Sequence, residues 1–345
     1  MSNIGVNVQG GLSVKTASLT ELPMLSQFNN VVLSHDKKGT SWKDCQVVPG
    51  AILKWTDGKY YMYFMGATYG NRESGAAHRS IGVASSSDLI HWTINPEKLI
   101  QPFGELAEYF PGGALIQPDG RITLMFSAQN KDQKWQGFYL ASATTPDGKF
   151  SIENNGNPVY KFENTAHEFD LVQVDNPKYK YMMFFAGFIP SVGDRGFIVY
   201  SNDLKTWTED KTWPNFKPQT TDNWDAIHVR PRSLNKVGDI WYLWYEGVNN
   251  YNNYSYDVVG LARSKDLYNW EYHPHNPILC GMGESAEQPD NTWTGWPRMV
   301  IKDKIAYVFY AGSNPSRNPV DICMKTMTIE ELTDWNKTGI IRNLK

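Results

Sequence analysis

Asp44, Asp225 and Asp290 stand at one shared interval ahead of Gly66, Gly247 and Gly312, glycines that each end an aromatic run. Carboxylates that return at one interval hold comparable places in repeated units. Two of them together can move protons if one is kept neutral by burial or a like charge while the other stays ionised. The same regularity also suits a turn residue with a purely structural task. Two stretches concentrate further reactive groups: His167-Glu168-Phe169-Asp170 and Trp224-Asp225-Ala-Ile-His228-Val-Arg230-Pro-Arg232. In extended backbone alternate residues share a face, so Asp225, Val229 and, past the proline, Arg232 fall on related faces while Trp224, His228 and Arg230 take the other. Arg298 follows Pro297 as Arg232 follows Pro231. Such arginines either grip an anionic ligand through bidentate bonds or pair with nearby acids. His-x-x-Asp with one glutamate is common by chance, and no metal is expected there.

These groups need elements to hold them, and the chain supplies elements by repetition. Aromatic runs close at Gly66, Ser127, Gly187, Gly247 and Gly312, a period of roughly sixty positions kept four times over. Asp88-Leu-Ile-His-Trp92, Asp203-Leu-Lys-Thr-Trp207 and Asp266-Leu-Tyr-Asn-Trp270 follow in phase, with weaker versions at Asp147 and Glu331. Pro49, Pro111, Pro231 and Pro297 precede the run ends by a nearly constant interval, and Asp170 takes the proline's place in the third unit. Each unit reads as four short strands joined by turns, and five such units predict an all-β, five-bladed β-propeller with four antiparallel strands per blade. The nearly continuous apolar runs fit strands buried on both faces between neighbouring blades. In the Asp-Leu-x-x-Trp turns the aspartate is expected to accept from backbone groups two residues on and the indole N–H to meet a carbonyl, which makes Asp88, Asp203 and Asp266 architecture. Residues 31–345 form the propeller in this reading. Residues 1–30 are an arm whose end can close the last blade and whose start can serve self-association or a protein partner.

The chain has 345 residues, 47 of them aromatic (13 Trp, 19 Tyr, 15 Phe), with 28 Gly and 19 Pro. That is too ring-rich for disorder and too punctuated for long helices. Lys and Arg number 33 against 36 Asp and Glu, a formal charge of −3, and no basic cluster tracks a phosphate backbone, so nucleic acid is not an expected partner. Cys45, Cys280 and Cys323 lack the spacing of a disulfide framework or a zinc site and are expected as buried thiols. No apolar run approaches the roughly 18 residues of a membrane helix and the start lacks a signal peptide's pattern, so a cytoplasmic protein with no membrane partner is expected.

Ser85-Ser-Ser-Asp-Leu-Ile-His-Trp92, Ser201-Asn-Asp-Leu-Lys-Thr-Trp207 and Ser264-Lys-Asp-Leu-Tyr-Asn-Trp270, together with strands such as Gly58-Lys-Tyr-Tyr-Met-Tyr63, resemble the five-bladed propeller glycoside hydrolases, the clan of arabinanases, invertases and levansucrases (families 32, 43, 62, 68 and 117). The likeness spans about residues 35–340. It implies glycan cleavage in a central funnel by acids from the innermost strands of different blades, with no organic cofactor. Carried over by blade position, it implies Asp44 as base, Asp225 as acid and Asp170 as the residue that tunes and orients them, with Glu168 and His228 as rivals for the acid. His167, Glu168, Trp224, His228, Arg230, Arg232, Trp293 and Arg298 would line the substrate. Trp42, Trp135 and Trp296 also lie outside the turns, and the loop at residues 249–256 would form a rim. The departures are definite: Val48 stands before Pro49 where many members carry aspartate, and no Asn-Asp-Pro-Asn, Arg-Asp-Pro or Glu-Gly-Pro occurs. Those losses suit a propeller that binds carbohydrate or protein without turnover, as part of a virion or surface assembly. A third reading is a glycosyl transferase or phosphorylase, in which the arginines hold phosphate.

Overall fold

In the computed structural model the described residues are 30–69, 79–101, 103–219, 224–248, 257–279, 293–313 and 319–336. They form five four-stranded antiparallel sheets, the blades of a propeller. Blade I contains β2 (Gln46–Lys54), β3 (Tyr60–Ala67), β4 (Arg79–Ser86) and β5 (Thr93–Ile94). Blade II contains β6 (Leu106–Ile116), β7 (Ile122–Asn130), β8 (Trp135–Ala143) and β9 (Ser151–Ile152). Blade III contains β10 (Ala166–Gln173), β11 (Tyr181–Ile189), β12 (Gly193–Ser201) and β13 (Trp207–Glu209). Blade IV contains β14 (His228–Val237), β15 (Ile240–Val248), β16 (Val258–Ser264) and β17 (Glu271–Tyr272). Blade V takes β18 (Trp293–Lys302), β19 (Ile305–Ser313) and β20 (Asp321–Thr328) from the end of the chain and its outer strand, β1 (Val31–Leu33), from the beginning.

That last pairing joins the two ends of the chain in one sheet: Val31 faces Cys323 and Leu33 faces Ile322. His35 reinforces it, donating its backbone N–H to Asp321 at 2.9 Å and placing Nδ1 2.7 Å from the same carboxylate. Residues 1–29, Cys280, Asp290 and residues 249–256 lie outside the described part.

Every residue of β3 is buried, and alternate side chains serve opposite interfaces. Tyr63 packs with Leu124, Phe126 and Tyr139 of blade II, while Phe64 packs with Tyr307, Phe309 and Met324 of blade V. A strand flanked on both faces has no polar side to show, and each ring sealed this way adds about 1.5–3 kcal/mol of apolar burial. The outer turns repeat one hydrogen-bond set. Asp88, Asp203 and Asp266 each accept two backbone N–H groups at 2.7–2.9 Å, from residues two and three positions on. The indole N–H groups of Trp92, Trp207 and Trp270 reach the carbonyls of Leu89, Leu204 and Leu267 at 3.0–3.1 Å. Those leucines sit at φ +73°, +65° and +68°, a left-handed backbone that these bonds hold in place. The hydrogen bonds from Asn269 and Tyr268 keep the Asp266 carboxyl well below its ordinary range. Cys45 and Cys323 are buried thiols outside any disulfide.

Candidate active site

The ladders between the two inner strands of each blade define what stands at the channel mouth. Pro49 faces Phe64, Pro111 faces Phe126 and Pro231 faces Tyr245. In blade III the residue in that place is Phe169, opposite Phe185, so Asp170 lies one step beyond the position the spacing predicted. The hairpin accounts for the offset: seven residues, 174–180, join β10 to β11 where five, 117–121, join β6 to β7, and β10 has no counterpart of the bulge that follows Pro111, which leaves a net shift of one. The residues just ahead of this row are therefore equivalent: Val48, Phe110, Glu168, Arg230 and, opposite Ala311 in blade V, Gly295, with Trp296 in the bulge that follows it. Those just after it are Gly50, Gly112, Asp170, Arg232 and Arg298. Both tiers divide the same way, with apolar or small residues on blades I and II and charges concentrated on blades III to V. A side chain at Gly50 would collide with Pro111 and one at Gly112 with the Phe169 ring, so neighbouring blades fill those places.

The charged half is one connected node. Arg232 Nη2 lies 2.6 Å from Glu168 Oε1 and 2.7 Å from Glu246 Oε2, so the two carboxylate oxygens can be no farther apart than those two contacts laid end to end. Glu246 comes from β15, directly opposite Arg230 in the ladder, and its other oxygen accepts the backbone N–H of Trp296. Gly295 leaves the space that this carboxylate occupies. The Trp296 ring in turn covers the Arg232 guanidinium, 5.0 Å from its centroid. Arg230 bonds Asp194 through Nε at 2.7 Å and lies 3.5 Å from Glu168, 3.8 Å from Asp257 and 4.0 Å from Glu246. Arg298 closes the floor, 3.3 Å from Asp170 and bonded to the carbonyls of Arg232 and Phe169. Asp170 also accepts the N–H of Leu234 at 2.7 Å, which ties blade III to blade IV.

This crowding sets the protonation states. Burial pushes Glu246 up to about 7; Arg232 opposes it, while the nearby Glu168 and Asp257 carboxylates reinforce it. Burial likewise pushes Asp170 up to about 6 against the pull of Arg298. Arg298, buried and close to Arg232, falls to about 10 despite Asp170. Burial weakens the proton's hold on Arg230, yet the four carboxylates around it raise it well above its ordinary value. Among the described residues no group of three or more His, Cys, Asp or Glu is placed to hold a metal ion; the node's acids meet guanidinium groups instead.

The sequence matches the profile of the glycosyl hydrolases family 32 N-terminal domain over residues 49–229, which is more than half of its length. The chain belongs to that family. No curated protein matches the sequence. Among solved structures this family 32 chain is similar to a glycoside hydrolase at 15% identity and TM-score 0.67, with 92% of this chain and 97% of that one covered. A thermostable family-43 glycoside hydrolase matches at 15% and 0.62, covering 84% and 92%. An endo-1,4-beta-xylanase from Bacteroides thetaiotaomicron matches at 19% and 0.58, covering 88% and 97%.

Within the family 32 chain, Asp225 acts together with Asp194 on the Arg195 guanidinium, which links it to the edge of the node. Asp44 accepts the backbone N–H groups of Gly39 and Tyr69, and Asp225 accepts that of Gln219 at 2.9 Å and the Tyr245 hydroxyl at 3.2 Å. Both are buried. Trp224 covers Gly247 and Gly260 just as Trp42 covers Gly66 and Gly82, so the two rings are matching packing elements of blades IV and I. Trp293 is 2% exposed and donates to Asp257 at 3.1 Å. His228 is buried with Nδ1 2.7 Å from Asp194. His167 lies on β10, and its side chain falls outside the described part. Glu168, Asp170, Arg230, Arg232 and Arg298 do come together, and the arginines pair with the funnel acids. Sequence reasoning missed Glu246, Asp194 and Asp257. Glu246 carried a signal, since it is the one charged residue in any of the five aromatic runs.

Proposed function

We propose that this chain is a glycoside hydrolase whose working pair is Glu168 and Glu246. The carrying observation is that the two buried carboxyls share one nitrogen of Arg232, which holds the oxygens that meet it no farther apart than the roughly 5–5.5 Å typical of retaining enzymes. Glu246, half protonated near neutrality, gives its proton to the glycosidic oxygen. Glu168, held by Arg230 and Arg232, attacks the anomeric carbon; water then releases the sugar as Glu246 takes a proton back. Asp170 and Arg298 hold the floor beneath the pair. The substrate is a glycan, with Phe110 and Trp296 offering half-buried rings on the apolar side of the mouth.

Screening a glycan panel for released reducing ends tests the reading, with Glu168→Gln and Glu246→Gln as comparisons and with phosphate present or absent to separate hydrolysis from phosphorolysis. Turnover that survives in both variants at the wild-type rate would overturn the assignment. A second reading, glycan binding without turnover, is favoured by Val48, which puts an apolar side chain where many relatives carry a carboxylate. Binding to a glycan that the wild type never cleaves would establish it.

A further inference from the structure

Arg232 presents one nitrogen to Glu168 and Glu246 at nearly equal distances, so it cannot decide which of them carries a proton. Arg230 is placed to do so. Its Nε stands 3.5 Å from Glu168 Oε2, while its Nη1 stands 4.0 Å from Glu246 Oε2 and is shared with Asp257 at 3.8 Å. The guanidinium is aimed by Asp194, which accepts from Nε at 2.7 Å and lies 2.7 Å from His228 Nδ1. Asp194 is itself fixed by the chain: Gly193 before it has φ +102° and no room for a side chain beside the Ile227 carbonyl. Arg230 is also the most open of the three funnel arginines, with 20% of its side chain exposed against 4% for Arg232 and 7% for Arg298.

We propose that Arg230, aimed by Asp194, is a positioning residue that sets its charge against Glu168 and thereby keeps the proton of the pair on Glu246. This rests on the reading of Glu168 and Glu246 as the working pair. The groups facing them are Asp170 from β10, Asp194 from β12, His228, Arg230 and Arg232 from β14, Asp257 ahead of β16, and Arg298 with the Trp296 N–H from β18. Among these, Arg230 stands closer to Glu168 than to Glu246 while Arg298 acts on both and more on Glu246, and Coulomb energy at 3.5–4.0 Å is large enough for the Arg230 inequality to matter.

The test is a pH titration of the full chain labelled with 13C at the glutamate carboxyls, the two signals being assigned by their loss in Glu168→Gln and Glu246→Gln. Arg230→Gln is expected to move the Glu246 midpoint up by about one pH unit or more and to make both signals shift over one common range. Arg230→Lys, which keeps the charge but not the planar fork, is expected to give an intermediate shift, and it still reports if the glutamine variant fails to fold. A merely structural arginine would lower the melting temperature and leave the midpoint in place. A Glu246 midpoint within roughly 0.3 pH units of wild type in the folded variants would overturn the proposal. The readout needs no substrate, so finding no cleavable glycan would end the hydrolase reading and leave this result to stand by itself.

Discussion

Arg230 faces Glu246 across the β14–β15 ladder at the step where Val48 faces Met65 in blade I. The same place in one repeated frame thus carries an ion pair on one side of the channel and a hydrocarbon contact on the other. Val48, Met65, Trp293, Ala311 and Val320 form a sealed cluster with Phe110 and Trp296 packed against it. The two tiers of residues around the proline row are thus two-sided, with their charges on blades III to V, while on blades I and II the buried Glu108 pairs with Arg79 beside Phe110.

Putting the missing carboxylate back by Val48→Asp is therefore expected to damage the fold. Val48 is 2% exposed among apolar side chains, so an aspartate there would bring a charge into that packing. A loss of about 3–5 kcal/mol in urea unfolding is expected, against about 1–2 kcal/mol for Val48→Ala, which only leaves a small void. Equal losses for the two variants would show that the site admits water.

Arg232→Met should be as costly, for the converse reason. It strips Glu168 and Glu246 of the guanidinium they share and leaves two buried carboxylates side by side. About 3–5 kcal/mol is expected near pH 8, and less near pH 5, where protonation relieves the repulsion. Unfolding curves at both pH values check it; a cost that does not vary with pH would separate the glutamates from Arg232 energetically.

The five blades were legible in the sequence because each depends on local patterns in phase: an aromatic run buried on both faces, and an Asp-Leu-x-x-Trp turn whose bonds close within a few residues. The site was legible only in part. Asp44 and Asp225 drew notice through their equal spacing, and each accepts a backbone N–H from a neighbouring loop, that of Gly39 and that of Gln219. Glu246 and Asp194 sit on second and third strands, and they reach the channel through the bulge in β18 and the glycine ahead of Asp194. Contacts of that kind between blades have no fixed separation along the chain.

Stability should fall as pH rises through the range in which Glu246 and Asp170 ionise. Both carboxyls are raised in the folded protein, to about 7 and about 6, so at these two sites the folded state holds more protons than the unfolded chain above the ordinary carboxylate range. Their favourable contribution is complete below that range and is lost as pH rises through the raised values, by an amount on the order of 3 kcal/mol for each group. The melting temperature is expected to drop between pH 5 and pH 8 in buffers of equal ionic strength, and Glu246→Gln, which mimics the protonated form, should flatten the drop. A wild-type curve that climbs over that interval would contradict the raised values.

Asp225→Asn distinguishes loop anchoring from acid catalysis. An asparagine can still accept the Gln219 N–H and the Tyr245 hydroxyl through its carbonyl oxygen, so the fold should lose only about 1 kcal/mol. Burial, with the Asp225 carboxylate close by, raises the Tyr245 hydroxyl well above its ordinary value and keeps it protonated as the donor, so the bond persists when the carboxylate is replaced. If Glu168 and Glu246 do the chemistry, kcat/KM on any glycan that the wild type cleaves should change less than about tenfold in Asp225→Asn and fall by about a hundredfold or more in Glu168→Gln. The reverse ranking would return the acid to Asp225 and leave the arginine-bound pair as a structural strut.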